Sequence, residues 1–171
     1  MAFRNTIDTV LVMLVCNHTL AGAAIGLAGV SNPLLGFGLG FASHLAMDAM
    51  PHWGIDPKRA NRDELFLKVA RKDGCGSCAL LGAILALTPA SSRVGVGAAM
   101  FGAVLPDLEK PWQHFTGRRL FPQWFRTIHK NIQNESESRM PVEMGTLMVG
   151  GAVLGMALLR TRRYGRLASA A

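Results

Sequence analysis

Positions 9–30 carry no formal charge across 22 residues, and roughly 20 apolar residues are enough to cross the hydrocarbon core of a bilayer. Further apolar runs follow at 34–50, 74–90, 94–107 and 142–159, the last interrupted only by Glu143 near its start. The charges fall between these runs. Positions 55–73 hold ten charges in nineteen residues, with a helical stretch expected over 62–72. Positions 108–141 mix polar side chains with Trp112, Phe115, Phe121, Trp124 and Phe125. This patterning predicts an all-α, polytopic membrane protein of about five transmembrane helices. Two tight hairpins, turning at 31–33 and 91–93, precede a C-terminal span. The aromatic segment is expected to lie as a helical loop at the membrane interface. The whole chain, 1–171, then forms one transmembrane domain.

Composition excludes several classes. Half of the residues are hydrophobic and mean hydropathy is +0.25, too apolar for a disordered chain. Three cysteines leave one unpaired in any scheme, which excludes a disulfide scaffold. The net charge of +7 would suit nucleic acid, but 13 of the 18 basic residues are Arg split among loops, with no motif to organise them. No nucleic-acid partner is expected. Basic loops beside apolar runs suit anionic headgroups, so membrane lipids are the expected surroundings. The first run lacks the basic start of a cleaved leader, since Arg4 is offset by Asp8. It is therefore expected to stay, and the location expected is the cell inner membrane, multi-pass. The more basic loops at 51–73 and 107–140 favour the cytoplasmic side, whereas the arginine-rich tail argues the reverse.

Ionisable groups inside apolar runs are costly, and their depths can be compared. Asn32 lies 14 residues after His18 and 14 before Ala46. At about 1.5 Å per residue, antiparallel helices put His18 level with His44 and Asp48. Asp107 lies 15 residues beyond the second turn at Ser92, at a similar depth. The spacing His44-x3-Asp48-x3-His52 sets His44 and Asp48 one turn apart on one helix face, with His52 just beyond the break imposed by Pro51. Imidazole and carboxylate suit zinc, and also manganese or iron. Helix-packing hydrogen bonds, proton or ion translocation and haem ligation are the other readings of the same residues. His114, His129, Glu135 and Glu137 lie where they could close the cluster from the loop side, or be ordinary interfacial and surface groups. Trp53, Trp112 and Trp124 read as interface anchors. Cys75-Gly-Ser-Cys78 has redox spacing without a redox context, and reads as structural.

Asn17-His18-Thr-Leu-Ala-Gly22, His44-x3-Asp48-x2-Pro51-His52 and Leu105-Pro106-Asp107 resemble the membrane-bound metal-dependent hydrolase family, the YdjM-like small bacterial inner-membrane proteins. The His-x3-Asp element is also similar, more distantly, to one in zinc-dependent phospholipase C proteins. The likeness spans roughly residues 16–130 and rests on about a dozen positions. It implies metal-ligand roles for His18, His44, Asp48, His52 and Asp107. The chain departs from the family where Glu109 replaces the second acid of a Pro-Asp-hydrophobic-Asp element. The late histidine segment also differs, reading Phe125-Arg126-Thr127-Ile128-His129-Lys130.

The function expected is hydrolysis of a lipid-like ester or phosphodiester by a divalent metal, most simply zinc, at the loop-side interface. Asp107 and His129 are the candidate catalytic groups, and Arg118, Arg119 or Arg126 could pair with a phosphate. The alternatives are a metal-ion or proton transporter and a non-catalytic membrane adaptor with structural histidines.

Overall fold

A computed structural model describes residues 14–30, 32–55 and 62–168. The start of the first apolar run (9–13), Arg4 and Asp8, Ser31 of the first turn and positions 56–61 of the polar loop lie outside the described residues. The fold is all-helical: α1 (Leu14–Leu27), α2 (Pro33–Ala49), α3 (Arg62–Leu87), α4 (Arg93–Val104), α5 (Glu109–Thr116), α6 (Gln123–Ile132) and α7 (Met140–Ala168). Short 3-10 turns at Ala90–Ser92, Leu105–Leu108 and Glu137–Arg139 lead into α4, α5 and α7.

Local chemistry sets the ends of α2. The Asn32 side chain accepts the N–H groups of Leu34 and Leu35, and Pro33 supplies a first helical residue that needs no N–H partner. Met50, before Pro51, is already extended, and the helix stops there. Between these ends the buried face of α2 reads Gly36, Gly40, His44, Asp48, in steps of four. Its first half is thus bare backbone and its second half is ionisable.

The bare half explains how α2 meets α4. A Cβ at Gly40 would run into the carbonyl oxygen of Ala99, and one at Gly102 into that of Phe37. Across the other side of α4, a Cβ at Gly22 of α1 would sit 2.6 Å from the Met100 Cα. Small residues let the three helices approach backbone to backbone, as in membrane helix pairs. Around this trio, α3 and α7 add Ile84, Leu154 and Leu158 to a core of Leu20, Ala23, Val96 and Met100.

The third helix differs from expectation. The boundary expected at Gly74 does not exist, and the polar stretch and the apolar run form one helix of 26 residues. Glycine in a helix interior costs only about 1 kcal/mol, too little to interrupt a ladder continuing on both sides. Trp53 is a second correction. It is buried rather than an exposed interface anchor, whereas Trp112 and Trp124 are exposed. The aromatic segment is helical over α5 and α6, joined at Gly117, whose φ of 68° caps α5. Among the described residues one helical run, Glu137–Arg160, is long and apolar enough to cross a membrane; Val15–Leu27 is apolar but shorter.

Candidate metal centre

The polar ends of α1 and α2 meet as the depth arithmetic requires. The His18 and His44 rings stack with centroids 4.0 Å apart, and His18 Nε2 lies 3.4 Å from Asp48 Oδ1. His18, His44 and Asp48 are all buried, His44 completely. On the other oxygen of the same carboxylate, α6 contributes His129. Its Nε2 is 2.7 Å from Asp48 Oδ2 and 3.1 Å from His44 Nε2. His44 Nε2 is in turn 3.2 Å from Asp48 Oδ2.

His44 is oriented from behind. Its Nδ1–H donates to the carbonyl of Ala103 at 2.7 Å, which turns Nε2 towards Asp48 and His129. A backbone carbonyl behind a ring is the usual way in which a ligating histidine is held in one tautomer. Asp48 is constrained similarly, with His18 at Oδ1 and Oδ2 turned to the two other imidazoles.

The main chain brings α6 to this position. Asn134 N–H donates to the Asp48 carbonyl, His52 N–H to the Asn134 carbonyl, and Ser136 N–H to the His52 carbonyl. This short parallel pairing ties the segment after α6 to the end of α2. It also satisfies a carbonyl that the last turn of α2 leaves open. Phe125, one turn before His129, packs against Phe41 and Phe121 at centroid distances of 5.4 and 4.5 Å. These contacts hold the inner face of α6 against α2.

Not every residue singled out by spacing joins the cluster. His52 turns away, its Nδ1–H donating to the Met50 carbonyl and its Nε2 facing Glu135 at 3.8 Å. Burial works against its charged form, but the Glu135 carboxylate and the Met50 carbonyl outweigh it and raise its pKa. Asp107, half-buried in the 3-10 turn after α4, offers a ligand atom within 4.8 Å of one each from His18 and His44, a looser group than the first. His114 is exposed and makes a T-shaped contact with the neighbouring Phe115. Glu109 makes a different contact altogether. Its Oε2 accepts the N–H groups of Leu120 and Phe121, and its Oε1 lies 3.8–3.9 Å from Arg119 and Arg126. It pins the loop that feeds α6 and lies outside both groups of candidate ligands.

The tight group fits a divalent cation by size and by donor type. A metal with ligands at about 2.05 Å holds neighbouring donor atoms about 2.9–3.3 Å apart. In the triangle of His44 Nε2, His129 Nε2 and Asp48 Oδ2 two edges, 3.1 and 3.2 Å, fall in that range, and the third, 2.7 Å between His129 and Asp48, is a hydrogen-bond length that a cation would open slightly. A proton between the same atoms satisfies them too, and metal and proton compete for them.

Spacing did not single out Asn17 and Glu143 as site residues. Both are buried, with Asn17 Nδ2 donating to the Glu143 carboxylate at 3.0 Å and to its backbone carbonyl at 3.1 Å. They line a cleft of about 60 Å³ that also reaches His18, Asp48 and His52. The signal was present as the lone carboxylate at the start of the fifth apolar run. Comparison with family models, curated proteins and solved structures gives no match to this chain.

Proposed function

We propose that this chain is a polytopic inner-membrane protein of about five transmembrane helices, acting as a metal-dependent hydrolase on a lipid-like ester or phosphodiester. One observation carries the chemical half of the reading. Two imidazole nitrogens and a carboxylate oxygen from two helices meet at 2.7–3.2 Å, with one ring oriented by the Ala103 carbonyl. Two histidines and a carboxylate leave at least one position open on zinc, the arrangement of catalytic rather than structural sites. A cation bound there polarises a phosphoryl or acyl oxygen and acidifies water.

The protein's own groups supply the rest. His18 holds the far oxygen of Asp48 and keeps Oδ2 directed at the open face. Asp107 makes no hydrogen bond or ion pair among the described residues and lies beside His18 and His44, where it can take a proton from an attacking water. The apolar part of a substrate has a surface to approach along. Leu34, Val94, Met148 and Leu159 are among the large apolar side chains left exposed on α2, α4 and α7, and exposed apolar patches mark membrane or partner contact. The apolar span Glu137–Arg160 supports the same placement.

The test is metal analysis of the detergent-purified full chain beside the His44→Ala/Asp48→Ala double variant, with circular dichroism on both. About one equivalent of zinc, manganese or iron in wild type, lost in a folded variant, is the expected result. No metal in either protein defeats the reading. Turnover of short-chain lipid phosphoesters by the metal-loaded wild type alone then tests the reaction.

A further inference from the structure

The cleft beside the metal centre has a chemical bias of its own. Asn17 Nδ2 is committed to two oxygens of Glu143, so its amide is oriented and Oδ1 is the remaining atom. Oδ1 is buried without a hydrogen-bond partner, and so is His18 Nδ1. His18 Nε2 faces the Asp48 carboxylate at 3.4 Å, so Nδ1 is the ring nitrogen left without a partner. Both side chains are at least nine-tenths buried and both line the cleft. The third polar wall is Glu143, whose single side-chain partner among the described residues is that neutral amide. Position in the first turn of α7 offsets part of its charge. A carboxylate buried without a countercharge is otherwise expensive.

Three acceptor-bearing side chains, one of them a carboxylate without a countercharge, thus line a space of about 60 Å³ with Met47, Met50 and Val142. The other polar groups of its wall are engaged: Asp48 by three imidazoles, His52 by the Met50 carbonyl and Glu135, and the Thr146 hydroxyl as a donor to the Val142 carbonyl. No donor is offered in return by these three groups. A primary ammonium carries one positive charge and three N–H donors, and matches the set in number and sign. We propose that this cleft recognises the primary ammonium group of an amphipathic ligand, with Asn17 Oδ1, His18 Nδ1 and Glu143 as its acceptors. The inference rests on the hydrolase reading only in making that ligand the substrate: it narrows the substrate class to aminated lipid-like esters. The adjoining apolar rim accepts the first methylenes of the ligand, and the metal centre lies beyond His18 and Asp48.

The experiment titrates the full chain in detergent with four probes, followed by calorimetry: octylamine, octyltrimethylammonium, and short-chain phosphatidylethanolamine and phosphatidylcholine. Octylamine and phosphatidylethanolamine separate a free amine from a lipid headgroup as the source of the ammonium. The trimethylated partners keep the charge and remove the donors. Either primary amine binding wild type about tenfold more tightly than its trimethylated partner is the expected result. Glu143→Gln, which keeps the volume and an acceptor for Asn17, should reduce that preference to about twofold or less while metal content stays at the wild-type level.

Equal binding of primary and trimethylated probes by wild type overturns the proposal without recourse to any variant. A preference that survives Glu143→Gln overturns the assignment of Glu143. The metal content of the same samples separates the two readings. Metal bound with no amine preference removes the cleft proposal alone, and amine preference without metal removes the hydrolase reading alone.

Discussion

Two buried helical carboxylates have opposite kinds of neighbours. Asp48 of α2 faces three imidazoles, from α1, α2 and α6. Asp73 of α3 accepts main-chain N–H groups, from Val15 at 2.7 Å and Cys16 at 3.2 Å, with Ser77 nearby donating to the Cys16 sulfur. Both are almost fully buried, so burial does not distinguish them. Their partners do. Backbone amides cannot give up their protons, so Asp73 is an anchor for α1. Imidazoles exchange protons for metals, so Asp48 sits in a site whose contents can change.

Substitutions test that contrast most strongly at the acids themselves. Asp48→Ala is expected to drop bound metal to background in elemental analysis. Asp73→Ala should keep the metal and lose about 1–3 kcal/mol of stability, from one buried and one half-buried N–H group left without an acceptor. Metal loss in Asp73→Ala, or retention in Asp48→Ala, would erase the distinction. A comparable effect on packing is expected at Gly40→Ala, whose new methyl meets the Ala99 carbonyl. Destabilisation of about 1–3 kcal/mol follows from overpacking, and thermal unfolding beside Gly38→Ala measures it, since nothing lies within 4 Å of that position.

The smallest effect belongs to His52. Its raised pKa means that the folded state holds the proton more tightly than the unfolded chain does. The His52–Glu135 contribution is therefore complete below the ordinary imidazole pKa of about 6.5, and fades as pH rises through the raised folded value. Unfolding followed from pH 5 to 8 should show this slope in wild type and a flatter one in His52→Asn.

The residues that set the site's depth were legible because depth along an antiparallel hairpin needs only counting. His18, His44 and Asp48 follow from the turn at Asn32, and Asp107 from the turn at Ser92. What counting could not reach was lateral. His52 and Glu135 are claimed by a main-chain pairing between distant segments, and alternation of residue types carries no trace of it. Trp53, next to that pairing in the chain, is buried, although its residue type matches an interface anchor. Gly74 looked like a boundary because charge changes there, but backbone hydrogen bonding is indifferent to the side chains' polarity. Glu143 stood out in the sequence only as an interruption, and its role depends on facing Asn17, 126 residues away.

The pairing that ties Asn134 to Asp48 also imposes an order of assembly. His18, His44 and Asp48 belong to the first hairpin and can come together once that hairpin has formed. His129 arrives from 81 residues further along, and must wait for α3, α4 and the aromatic segment to be made. A chain interrupted during synthesis before α6 carries the hairpin's histidines and acid but not the complete set. Under the metal proposal, full occupancy of the centre would mark a finished molecule, and a chain stopped short of α6 would be recognisable by its weaker hold on the ion.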